Sequence, residues 1–193
     1  RSSWSSSRAS TTNGVTSSGV HRCLSLDDGT HTPDYIIIGA FGLNEWTNSP
    51  VGDYEIGVTP LAPIDADLTN ETVYNQYSDV IETYAGAMAT MINRIQKKYP
   101  NAKLFAMDTY NYYRNGFNPT YNVSPATNIK KYNDALYKVC NSFGVEVIKL
   151  SECGLTATNS LQYTVDGAST GTIGIHPDAI GMDFLYKETL KHF

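Results

Sequence analysis

No stretch of this sequence holds the ~20 consecutive apolar residues that a helix needs to cross a bilayer, so no membrane span is expected. No cluster of lysine or arginine stands out either: 14 basic residues face 19 acidic ones, for a net charge of −5. That balance argues against a general nucleic-acid binder, whose affinity would rest on a basic patch. Cysteine is scarce, at Cys23, Cys140 and Cys153, and no pair has metal-ligand spacing. With no His/Cys/Asp cluster to add to them, no metal and no cofactor are implied. The odd count leaves room for one disulfide at most, while Cys140 falls on an apolar helical face and reads as a buried free thiol. No Gly-rich phosphate loop follows a strand, which weakens a flavodoxin-like nucleotide-binding reading. No internal repeat is visible.

What is present is an ordinary apolar fraction, 41 %, in 193 residues, enough for a single domain over residues 1–193. Residues 1–19 are rich in Ser, Thr and Gly and alone read as a linker, with Trp4 and Arg8 as exceptions. Two triplets, Asn70-Glu71-Thr72 and Asn122-Val123-Ser124, match the glycosylation acceptor pattern, which is common by chance.

The apolar run PDYIIIGAF, residues 33–41, is short and dense in isoleucine, which predicts a strand buried on both faces. From Thr72 to Tyr99 the positions Val73, Tyr77, Val80, Tyr84, Met88, Met91 and Ile95 recur at helical steps, and Pro100 ends the pattern. AKLFAMD, residues 102–108, predicts a second strand, and a tyrosine-rich loop follows it. A helix starting at Ser124-Pro125 presents Ile129, Tyr132, Leu136, Val139 and Phe143 on one face and stops at Gly144. VEVIKL, residues 145–150, predicts a third strand, and Pro177 suits the first position of a last helix. Strands alternating with helices predict a parallel sheet covered on both faces, with its chemistry at the carboxyl ends of the strands.

Those ends carry the residues of interest. Asn44 follows the first strand by way of Gly42, and its amide could donate to an oxyanion or simply satisfy its own turn. His176 stands between an apolar approach and Pro177; it could shuttle a proton near neutral pH or cap a helix. His21, His31 and His192 read as surface residues. Tyr110, Tyr112, Tyr113 and Tyr121 fall on the same predicted rim, where rings could stack on a sugar face or pack as a lid or core.

The segments PDYIIIGAFGLNEW and GIHPDAIGM resemble two sequence blocks of the SGNH, or GDSL-type, hydrolases. In that family a strand ends in Gly-x-Asn-Asp and the catalytic histidine stands in a His-Pro pair. Gly42-Leu43-Asn44-Glu45 and His176-Pro177 match, with Glu45 in place of the usual aspartate. SWSSSRAST, at the start, resembles the block whose small residue donates a backbone N–H to the oxyanion, with Ser6 where glycine is usual. The resemblance covers Trp4 to Phe193.

It implies a three-layer α/β/α fold with a parallel sheet, and acyl transfer from a small ester or acetylated carbohydrate. A serine would attack, His176 would act as base and then acid, and Asn44 with the Ser6 N–H would hold the oxyanion. Gly42, Tyr110 and Tyr112 would bind substrate. The family's Gly-Asp-Ser nucleophile block does not occur in the sequence, so the first strand and the nucleophile are expected to be missing, to be supplied by a complementing N-terminal segment or a second chain. Ile173 stands where the family places an aspartate three residues before the histidine. Asp166, ten residues before it, is either a turn residue or a carboxylate brought back to the ring if the residues between loop out; a backbone carbonyl is the other candidate to hold the imidazole. A non-catalytic relative that binds a glycan or a partner on the same rim is the alternative.

Overall fold

A computed structural model describes residues 19–39, 50–110, 112, 125–170 and 174–193. Its elements run in the order helix α1 (Gly19–Arg22), strand β1 (Tyr35–Ile38), helices α2 (Glu71–Asn75), α3 (Ser78–Ile81) and α4 (Tyr84–Lys98), strand β2 (Lys103–Met107), helix α5 (Pro125–Phe143), strand β3 (Glu146–Ile148), a 3-10 turn at Leu150–Glu152, and helices α6 (Val165–Thr170) and α7 (Ala179–Leu190). The strands form one sheet in the order β1-β2-β3. β1 and β2 are parallel, in a register that sets Ile36 beside Leu104 and Ile37 beside Phe105. The fold is thus the α/β type with a parallel open sheet.

Two compact units make up the chain. The first holds the residues up to Ala106 together with Asp134–Glu146. Its apolar cluster joins Val20, Ala62, Leu68, Tyr74, Ile81 and Ala87. Helix α4 is buried along most of its length, and Arg94, also buried, donates to the carbonyls of Ile64 and Ala66. The second holds Met107–Asn133 and Val147–Phe193. There the Asp108 N–H donates to the Ile148 carbonyl, while its carboxylate accepts from the N–H and hydroxyl of Ser151.

Three sequence expectations are corrected. The helix expected from Thr72 to Tyr99 is three helices. Apolar periodicity carries through the breaks, but Thr83 is extended and its hydroxyl caps the Gly86 N–H, starting a new helix. Strand β1 buries one face only: Ile36 and Ile38 are inside, whereas Tyr35 is 60 % and Ile37 43 % exposed. Among the described strands β1 lies at the edge of the sheet, and its Ile37 is exposed beside the buried Phe105 of β2. The last helix starts after Pro177, at Ala179, because Asp178 is its N-cap and accepts from Ile180 and Gly181. The helix at Pro125 ends as expected, at Gly144 with φ +65°. No disulfide forms among the three free cysteines; burial pushes Cys23 up to about 11 and Cys140 to about 12.

Candidate active site

His176 and Pro177 sit in a short extended segment that zips against residues 163–165. Thr164 and Pro177 form an antiparallel bridge. On either side, Val165 N–H donates to the His176 carbonyl at 2.9 Å and Asp178 N–H to the Tyr163 carbonyl at 3.0 Å. Helix α6 opens at Val165, so this zipper brings its second residue, Asp166, alongside the histidine. Gly167 makes the turn sterically feasible: a Cβ there would lie 2.4 Å from the Leu161 carbonyl oxygen.

Asp166 holds that segment through three contacts. One carboxylate oxygen, Oδ1, accepts the His176 backbone N–H at 3.0 Å. The other, Oδ2, accepts the Ile175 N–H at 3.1 Å and lies 3.2 Å from Nδ1 of the His176 ring. Partial burial opposes the charge on Asp166, but the N–H groups of His176 and Ile175 outweigh it and hold the carboxyl below its ordinary range. The imidazole itself is open to solvent, its side chain 78 % exposed against 21 % for Asp166. An ionised carboxylate at Nδ1 favours the tautomer with the proton on that nitrogen, which leaves Nε2 free to accept one.

The residues after β2 complete this region. The Thr109 N–H and carbonyl are both taken by the side-chain amide of Asn133, on α5, at 3.1 and 3.0 Å. Tyr110 follows, and its hydroxyl donates to the Ile175 carbonyl at 2.5 Å. Tyr112 packs edge-on to Tyr110, with ring centroids 6.0 Å apart. Both rings are buried, at 7 % and 3 % exposure.

Ser6, Gly42 and Asn44 lie outside the described residues, as do Glu45, Ile173, Tyr113 and Tyr121. Of the site residues expected from sequence, the structure therefore brings together His176, Asp166 and Tyr110, with Tyr112 behind them. Sequence reasoning missed the hydrogen bond of Tyr110 to the Ile175 carbonyl and the role of Asn133 in fixing the loop. Neither has a sequence signal, since both pair groups far apart in the chain. Among the described residues no group of three or more His, Cys, Asp or Glu side chains could hold a metal ion, and no helix is long and apolar enough to cross a membrane.

Comparison with known proteins adds to this geometry. The model of the GDSL-like lipase/acylhydrolase family matches residues 5–184, which spans both units. No curated protein matches. Among solved structures, the chain is similar to a candidate GDSL-like lipase from Bacteroides ovatus, at 16 % identity and a TM-score of 0.58, over 97 % of this chain and 65 % of that one. A protein from Lactobacillus plantarum matches at 16 % identity and a TM-score of 0.61, over 91 % and 72 %. A candidate GDSL-like lipase from Parabacteroides merdae matches at 15 % identity and 0.52, over 90 % and 68 %. At these identities the likeness speaks for the fold, and the chain spans just under two thirds of the Bacteroides protein's length.

Proposed function

Because the chain belongs to the GDSL-like lipase/acylhydrolase family, we propose that it carries the base half of an ester-hydrolysing active site. His176 is the general base and then the general acid of acyl transfer, and Asp166 is the carboxylate that orients it. The observation that carries this reading is the contact of Asp166 Oδ2 with His176 Nδ1 at 3.2 Å, beside a His-Pro pair.

The chemistry follows from the pair. A serine hydroxyl is a weak nucleophile until a base takes its proton as it attacks. Nε2 of His176, on an exposed ring, accepts that proton, and the ring becomes an imidazolium. Asp166 stays ionised, because two backbone N–H groups hold its charge, and so it stabilises the cation without taking the proton itself. The same backbone contacts stop the carboxylate from swinging away from the ring. The imidazolium then returns the proton to the departing alcohol. Asn44 and the Ser6 N–H are the oxyanion donors in this proposal, by resemblance to the family blocks.

The nucleophile belongs to the Gly-Asp-Ser block of the family, which these 193 residues do not contain. The substrate class is a small ester or an acetylated carbohydrate. Ile173, where the family places an aspartate, is the observation that favours a second reading, a non-catalytic relative binding a glycan or a partner chain. Hydrolysis of a short activated ester, by this chain and by a form extended upstream to include the block, separates the two. Activity in the extended form that disappears with His176→Ala supports the enzyme. Inactivity of both forms, with retained binding of an acetylated glycan, replaces it with the binder.

A further inference from the structure

We infer that Tyr110 is a positioning residue for His176: by gripping the Ile175 carbonyl it fixes the peptide from which the imidazole projects. The inference rests on the reading of His176 as the base only for its catalytic meaning, since the geometry concerns the ring's orientation.

All four backbone polar groups of residues 175 and 176 are engaged. The Ile175 N–H and the His176 N–H go to the two oxygens of Asp166. The His176 carbonyl accepts from the Val165 N–H, and the Ile175 carbonyl accepts from the Tyr110 hydroxyl. Three of these partners come from one place, the start of α6. Tyr110 alone comes from elsewhere. The peptide plane between Ile175 and His176 contains one carbonyl and one N–H, and because that unit is planar, holding both ends fixes its tilt. Asp166 Oδ1 holds the N–H and Tyr110 Oη the carbonyl. The tilt sets the direction in which the His176 Cα–Cβ bond leaves the backbone. That matters here because the ring is 78 % exposed, and Asp166 is the side chain that holds it. With little packing around the ring, its aim depends on its backbone.

The anchor is itself rigid. Tyr110 is buried against Tyr112, and the residue before it is pinned by Asn133 through both backbone groups. Asp108, one residue earlier, donates to the Ile148 carbonyl at the end of β3. Burial, and secondarily the Asp166 carboxylate, push the phenol well above its ordinary acidity range, so the hydroxyl remains a donor wherever an esterase would work. A phenylalanine would keep the ring and its packing but release the carbonyl.

The test is nitrogen-15 NMR of the imidazole of His176 in the full 193-residue chain, wild type against Tyr110→Phe, with Phe184→Leu as a control that loosens a ring contact in the same unit. The expected result is a several-fold fall in the ratio of Nδ1–H to Nε2–H tautomer in Tyr110→Phe, and no change in the control. An unchanged ratio in Tyr110→Phe, or an equal fall in Phe184→Leu, overturns the inference. If Tyr110→Phe does not fold, the wild-type chain still decides: a through-hydrogen-bond coupling from the Tyr110 hydroxyl proton to the Ile175 carbonyl carbon is required, and its absence in a slowly exchanging hydroxyl refutes the clamp. In the upstream-extended form, Tyr110→Phe should lower kcat for a short ester with KM unchanged. A tautomer shift in a protein that hydrolyses nothing rejects the esterase reading and leaves the positioning role standing.

Discussion

Replacing Asp166 by asparagine is the most direct perturbation of the site, because it removes charge and keeps shape. The wild-type carboxylate accepts from the Ile175 N–H at 3.1 Å and the His176 N–H at 3.0 Å. An asparagine oxygen can serve one of them, but its NH2 then faces the other donor. Hydrogen bonds to charged groups are worth about 1.5–3 kcal/mol each. With the Asp166 side chain 21 % exposed, water offsets part of the loss, and the lower half of that range, about 1.5–2 kcal/mol, is the expected cost. For a chain of this size each kcal/mol lowers Tm by about 2–4 °C, so Asp166→Asn should melt about 3–8 °C below wild type at neutral pH. The pH dependence has a definite sign. Asp166 titrates below its ordinary value in the folded chain, so its contribution is fully present above the unfolded pKa of about 3.9 and is lost as pH falls through the lower folded value. Circular-dichroism melts at pH 7 and at successively lower pH should therefore show the gap between variant and wild type closing only in acid. Equal Tm values at pH 7, or a gap that persists undiminished below the folded titration, would refute the assignment of these hydrogen bonds to an ionised carboxylate.

Other substitutions probe the framework around the site. Asp178→Ala removes the cap of α7, and should lower stability by about 1 kcal/mol in chemical denaturation, with the m-value unchanged. Gly167→Ala forces a Cβ to within 2.4 Å of the Leu161 carbonyl oxygen, so it should cost at least about 1–3 kcal/mol and reduce hydrogen-exchange protection of the His176 amide. Ile37→Lys, at an exposed position on β1, should change stability by less than about 0.5 kcal/mol, whereas Ile38→Ala, on the buried face, should cost about 2–5 kcal/mol. Cys23 and Cys140 should react with a thiol reagent at rates set by unfolding, since burial raises both thiols and shields them.

Much of the framework was legible. An apolar run announced β2, helical spacing closed by Gly144 announced α5, and Pro177 announced the region of α7. Where spacing and punctuation disagreed, the reading failed. The segment from Thr72 to Tyr99 keeps helical spacing across two breaks, and the second of them is marked in the sequence by a single capping threonine, Thr83. The isoleucines of β1 announced a strand but not its cover, since composition records what a strand could bury and not which neighbours are present. In the site, His176-Pro177 was visible as a pair of letters, and Asp166 as a carboxylate with two open roles. Which role it plays depends on the zipper between residues 163–165 and 176–178, which no local pattern encodes.

By itself, then, the amino-acid order determined the alternation of strands and helices, the α/β class and the blocks that mark the family, because each is written in near neighbours whose spacing reflects one backbone geometry. Only the tertiary structure decided that Asp166 faces the histidine ring and that Tyr110 holds the peptide before it. Those contacts join residues 10 and 65 positions apart, and whether such groups meet depends on how intervening elements pack.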